Sequence, residues 1–134
     1  MPFLYHPLVV HFPVALWLTS FLFDVGYAAT RDRFYATASR LLIGLGLLAA
    51  AASIVTGFVD YIPLVNQGVG SAFVAQHRTH SLLAYASTIV YAGLFFARGR
   101  RRGMSAGPYL AGGLLGAVLI AAVGYLGGEI RRVM

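Results

Sequence analysis

Apolar residues fall into four long runs separated by short polar stretches, at about 9–29, 41–62, 79–97 and 109–128. Each run is near the ~20 residues that an α-helix needs to cross a hydrocarbon core. The pattern predicts an all-α, integral-membrane four-helix bundle, a single domain over residues 1–134. The first run has no basic residue before it and is too long for the apolar region of a cleaved signal, so it reads as a retained span. The second connection, 63–76, is the longest and carries Asn66, Gln67, Gly68 and Gly70, residues that suit turns. Pro63 is expected to end the second helix, and a short interfacial helix can form over 71–76. No internal repeat or separate soluble domain stands out along the chain.

Composition agrees with the bilayer. The chain is 59% apolar and only 10% charged, against roughly 25% charged in soluble globular chains. With no cysteine, disulfides, thiolate zinc sites and iron–sulfur clusters are excluded. All ten basic residues are arginines, placed in short patches without the extended basic face of a nucleic-acid binder. They read instead as topology signals and contacts to anionic lipid head groups. Arg31, Arg33, Arg40, Arg98, Arg100, Arg101 and Arg102 fall on one side, against Arg78, Arg131 and Arg132 on the other. That asymmetry predicts cytoplasmic first and third connections and both termini outside.

The topology then gathers the chemistry. His6 and His11 open the first span and His77 and His80 the third, with Asp60 ending the second and Glu129 following the fourth. All four histidines therefore share one membrane face with two of the four acids; Asp24 and Asp32 lie towards the other. Ionisable groups at a membrane boundary are costly and mark candidate sites. His77 and His80, three apart, share a helical face. His6 and His11 are separated by about 140° around a helix, so both cannot point inward. Matching depths favour His11 with His80 as ligands, helices one and three lying side by side, with His6 and His77 as interfacial caps or substitutes. Asp60 is expected to orient a ligand histidine through its ring N–H. Arg78 is a candidate partner for a propionate or head group, and Glu129 a supporting acid or a surface charge beside Arg131 and Arg132. Gly112 with Gly116 and Gly124 with Gly128 make two G-x-x-x-G spacings, which permit close helix packing, a dimer face or room for a flat macrocycle.

The segments HPLVVHFPVALWLTSFLFD (6–24), VTGFVDY (55–61), a histidine opening the third helix and GYLGGE (124–129) resemble the bacterial membrane family called domain of unknown function 2231. The likeness covers most of the chain. His6, His11 and Asp60 match its motifs by position; His80 aligns in helix three, with Ala84 where a polar residue is expected one turn later. The resemblance implies a small four-helix protein of the bacterial inner membrane. Because some members are joined to Rieske or cytochrome c modules, it also implies electron transfer through a b-type haem.

Three functions follow. The first is a haem b protein passing electrons between quinol and an outer-face redox protein, using His11, His80, His6 or His77. Facing histidines on neighbouring helices can supply its axial ligands. The second is a divalent-metal site holding zinc, copper or non-haem iron with the same four histidines and Asp60. The third is a structural subunit of a larger membrane complex or homo-oligomer. Neither a nucleophile-and-base arrangement nor a phosphate loop is apparent, which points to an electron carrier or redox subunit rather than a free-standing enzyme.

Overall fold

The computed structural model describes residues 5–100 and 105–132. Its elements are α1 (His6–Val9), α2 (His11–Thr30), α3 (Arg33–Asn66), α4 (Ser71–Arg100) and α5 (Ala106–Arg132), with no strand among the described residues. Four helices are long and apolar enough to cross a membrane, α1 and α2 acting as one span. The one-turn α1 is separate because Pro13 has no N–H to offer the carbonyl of Val9, four residues back.

Two helices start about eight residues earlier than the apolar runs suggest. The first connection is only Arg31 and Asp32: Arg31 closes α2 in the left-handed region at φ 59°, and the Asp32 carboxylate caps α3 by accepting the Phe34 N–H at 2.9 Å. Polar first turns do not register as hydrophobic, so the run hid them. Segment 71–76 likewise forms the first turns of α4 rather than a separate interfacial helix. Pro63 does not end α3. It falls in the last turn, where it offers no N–H to the Val59 carbonyl yet does not stop the helix, which runs on to its cap at Gln67 before Gly68 turns with φ +80°.

The bundle is apolar outside and encloses polar side chains beside an apolar core of Trp17, Ile43, Ala50, Tyr91, Ile120 and Val123. Leu22, Leu48 and Ile89 are 67–71% exposed, whereas Ser20, Asp24, Ser39, Ser53, His80, Ser87 and Arg98 are buried. Lipid tails give no hydrophobic drive between helices, so close packing and interior polar contacts hold the bundle together. α2 packs against α3 and α5, and α4 against the same two, so α2 and α4 stand diagonally rather than side by side. Their inward stripes nevertheless meet through the centre. On α1 and α2 the stripe runs His6, Val10, Pro13, Trp17, Ser20, Asp24; on α4 it runs His80, Ala84, Ser87, Tyr91, Leu94, Arg98, with the same alternating steps of three and four.

This exposes an internal repeat. His6 faces His80 with ring centres 6.1 Å apart, Trp17 stacks on Tyr91 at 4.0 Å, and Asp24 pairs with Arg98 at 2.8 Å; each pair is 74 residues apart. The partner helices repeat too, at 70 residues. A Cβ at Gly46 would collide with Trp17, and one at Gly116 would come within 2.8 Å of Tyr91. Ser39 and Tyr109 both serve the Asp24–Arg98 pair. The chain is thus two similar helical hairpins. Two spans return a chain to the side it left, so the halves are related by an axis running along the bundle.

Candidate functional site

The histidine end is built twice by one device. His6 donates from Nδ1 to the Ser53 carbonyl at 2.8 Å, and His80 donates from Nδ1 to the Val123 carbonyl at 3.2 Å. One turn beyond each carbonyl stands a glycine, Gly57 or Gly127, whose absent Cβ would lie 3.3 Å from the ring. The glycine lets an imidazole lie flat on the neighbouring helix and reach a carbonyl already in the helical ladder. A neutral imidazole that donates from Nδ1 presents a lone pair at Nε2, the usual state of a metal-binding histidine. For both rings, Nε2 has no hydrogen-bond partner among the described residues.

The two halves differ at the next turn. Asp60 accepts the backbone N–H of His6 at 2.7 Å, and its repeat counterpart is Ile130. The carboxylate therefore fixes the start of α1, not the imidazole N–H that the sequence reading assigned to it. His77 lies beside the pair, 6.4 Å from His80 between ring centres, stacked on Tyr61 at 3.8 Å and next to the Ser81 hydroxyl.

Of the expected pair, the structure brings His80 to the axis but not His11. His11 is exposed and forms part of a cavity wall, while His6 faces His80. The stripe spacing is the signal that separates them: position 6 is on it, position 11 is not. Arg78 is exposed. Glu129 pairs with Arg132 at 2.9 Å on its own helix, away from the rings. Among the described residues, no three His, Asp or Glu side chains gather as a metal site.

Two cavities flank the imidazoles. One, of about 70 Å³, lies between α3 and α4; the other, of about 430 Å³, lies between α2 and α5 and extends under the α3–α4 turn to Tyr61 and Phe73. Both are lined by His6, His77 and His80. The G-x-x-x-G spacings divide between two jobs. Gly112 and Gly116 lie against Leu94 and Tyr91 in the packed interior, whereas Gly124 and Gly128 wall the larger cavity with no side chain within 4 Å of their absent Cβ atoms.

The other end holds a cluster that the sequence reading did not recognise. By sequence Arg98 reads as one of the loop arginines and Asp24 only as an acid towards that face. Instead the two form a bidentate ion pair, with side chains 2% and 0% exposed. Arg98 also donates to Ser39 Oγ at 2.9 Å and to the Tyr109 carbonyl at 3.2 Å, and its guanidinium lies 3.9 Å over the Tyr109 ring. All four spans contribute, so this cluster clamps the bundle. Arg40 is also engaged, donating to the Phe95 carbonyl and lying over the Phe95 ring.

A family model described as predicted membrane protein, DUF2231, matches residues 3–133. No curated protein and no solved structure matches the chain.

Proposed function

The chain belongs to the DUF2231 family of predicted membrane proteins, and from that premise we propose that it is a b-type haem protein carrying electrons at one face of a bacterial inner membrane. One observation carries the reading. His6 and His80 face each other across the repeat axis, each tied at Nδ1 to a carbonyl and each with Nε2 unpaired. At their spacing of 6.1 Å between ring centres, the two Nε2 atoms would be the protein's donors to one metal, with metal–nitrogen bonds of about 2 Å.

The donor set supports the same choice. A metal that brings most of its own donors, as a porphyrin iron does, needs from the protein no more than the two imidazoles whose Nε2 atoms are unpaired. The cavity of about 430 Å³ lies within the size range of sites for ring ligands. Bound there, a haem supplies one-electron transfer. The chain's own residues do the rest: Ser53 and Val123 orient the imidazoles, Asp60 fixes His6, and Trp17 with Tyr91 closes the space below. Quinol from the bilayer is the electron source in this reading and an outer-face redox protein the acceptor. The arginine asymmetry supports placing the histidine end and both termini outside.

The test is the absorption spectrum of detergent-purified protein supplied with haem. A Soret band with sharp reduced α and β bands, lost in His6→Ala and in His80→Ala, is the expected result. A colourless protein carrying stoichiometric metal would favour the non-haem alternative. Neither cofactor nor metal, with a partner complex assembling normally, would favour a structural subunit.

A further inference from the structure

The device that seats the two imidazoles is used a third time, at the opposite end of the bundle and with a different side chain. Arg40 of α3 lies against α4, donating from Nε to the Phe95 carbonyl at 3.1 Å with its guanidinium carbon 4.4 Å over the Phe95 ring. One turn beyond that carbonyl stands Gly99, whose absent Cβ would lie 2.6 Å from Arg40 Nη2. Ser53 with Gly57 and Val123 with Gly127 make the same carbonyl-and-glycine seat for His6 and His80. The seats differ in what each side chain has left over. An imidazole held through Nδ1 keeps one lone pair, whereas a guanidinium held through Nε keeps its two terminal nitrogens, both donors, and a full positive charge. Among the described residues, neither terminal nitrogen of Arg40 has a hydrogen-bond partner and no acid pairs with it. Arg98, at the same end, is in the opposite condition: Asp24, Ser39 and the Tyr109 carbonyl occupy its terminal nitrogens.

The surroundings suit a phosphate that carries acyl chains. Arg33, Thr37 and Arg40 follow one another at steps of four and three along one side of α3, and Arg33 and Thr37 are exposed. Leu41 and Phe96, next in the chain to Arg40 and to Phe95, are 62% and 58% exposed, so apolar side chains face lipid at the level of the guanidinium. A soluble anion would use only the polar part of this surface; a phospholipid uses both. We propose that Arg40, with Arg33 and Thr37 beside it, receives the phosphate of an anionic phospholipid where α3 meets α4. The guanidinium fork bonds two phosphate oxygens, and the acyl chains lie against Leu41 and Phe96.

The test is thermal unfolding of the detergent-purified chain, titrated with phosphatidylglycerol, with phosphatidylcholine of the same acyl chains, and with inorganic phosphate. Phosphatidylglycerol is expected to raise the midpoint at about a tenth of the concentration that phosphatidylcholine requires. Arg40→Gln removes the fork and is expected to weaken phosphatidylglycerol binding about tenfold. Gly99→Ala keeps every charge but places a methyl group where Arg40 Nη2 now lies. The atom displaced is the free end of a long side chain, so the bundle stays folded while binding weakens about fivefold. Arg78→Gln, at the histidine end, is expected to change nothing. Equal action of the two lipids would overturn the inference, as would an equal loss in Arg78→Gln or unchanged binding in Gly99→Ala, since any loosely held arginine would then serve. Inorganic phosphate as effective as phosphatidylglycerol would mark a site for free anions and overturn the lipid assignment. Circular dichroism accompanies each variant, and were Arg40→Gln not to fold, Gly99→Ala decides. No haem enters these measurements, so their outcome leaves the reading of the histidine end untouched.

Discussion

The two ends of the repeat axis solve opposite problems with the same geometry. At one end Asp24 meets Arg98, an acceptor pair meeting a donor fork, and the contact is closed by Ser39 and Tyr109. At the other end His6 meets His80, and both rings have already used Nδ1 as donor. Neither Nε2 has a hydrogen-bond partner among the described residues. Opposite charges pair directly, whereas two imidazoles that have both donated from Nδ1 cannot bond to each other. The end that pairs its charges is packed, although Arg98 Nε is buried there without a partner among the described residues; the histidine end is flanked by cavities. The built contact and the open space therefore lie at opposite ends of the bundle.

The sharpest way to break this contrast is to remove half of the ion pair. Asp24→Ala leaves a guanidinium buried without its counter-charge and is expected to cost about 3–5 kcal/mol, read as a lower thermal midpoint in detergent. Asp24→Leu combined with Arg98→Met, which removes both charges, should recover most of that loss. If the single variant proved as stable as the unaltered chain, the clamp would have no structural role. At the histidine end the order reverses: His6→Ala and His80→Ala should each abolish the Soret band while leaving the bundle folded. His11→Ala, off the inward stripe, should shift haem affinity by less than a factor of about three.

Smaller effects sharpen the difference between the two halves. Asp60→Ala removes the charged acceptor from the His6 N–H, and a loss of roughly tenfold in haem affinity is expected, the lower end of what supporting residues contribute. The second half carries Ile130 at that position and has no acid there to remove. The smallest effect is expected at Tyr91, whose hydroxyl is buried without a partner among the described residues. Tyr91→Phe keeps the stack on Trp17 and should leave the thermal midpoint unchanged or slightly raised; a loss of more than about 1 kcal/mol would mean that the hydroxyl has a partner.

Much of this was legible in the sequence, and the failures have physical causes. Length and hydropathy show four spans because the bilayer fixes the length of a helix that crosses it. They misplace the starts of α3 and α4 because a polar helical turn outside the hydrocarbon is invisible to hydropathy. The gathering of histidines at one end follows from topology alone. Which two face each other does not follow from depth; it depends on the stripe through positions 6, 10, 13 and 17, with Pro7 and Pro13 obscuring it. Arg98 was hidden by its neighbours, since an arginine beside Arg100, Arg101 and Arg102 looks like one more loop charge. The repeat was hidden by register. Fifteen positions separate Asp24 from Ser39 but eleven separate Arg98 from Tyr109, so a comparison at one fixed period slips by about a helical turn halfway along.

Covalent joining of the two hairpins has a consequence for what the interior can contain. Two identical hairpins, associating as separate molecules about the same axis, would set every residue opposite itself, and the level that now holds Asp24 and Arg98 would hold two buried acids or two buried cations. Neither arrangement is tolerable in a membrane. Linking the copies frees each level to diverge on its own, so that one can become a matched charge couple while another stays a matched pair of bases. The short turn between Asn66 and Ser71 is thus what allows a twofold scaffold to be unlike itself where stability requires it.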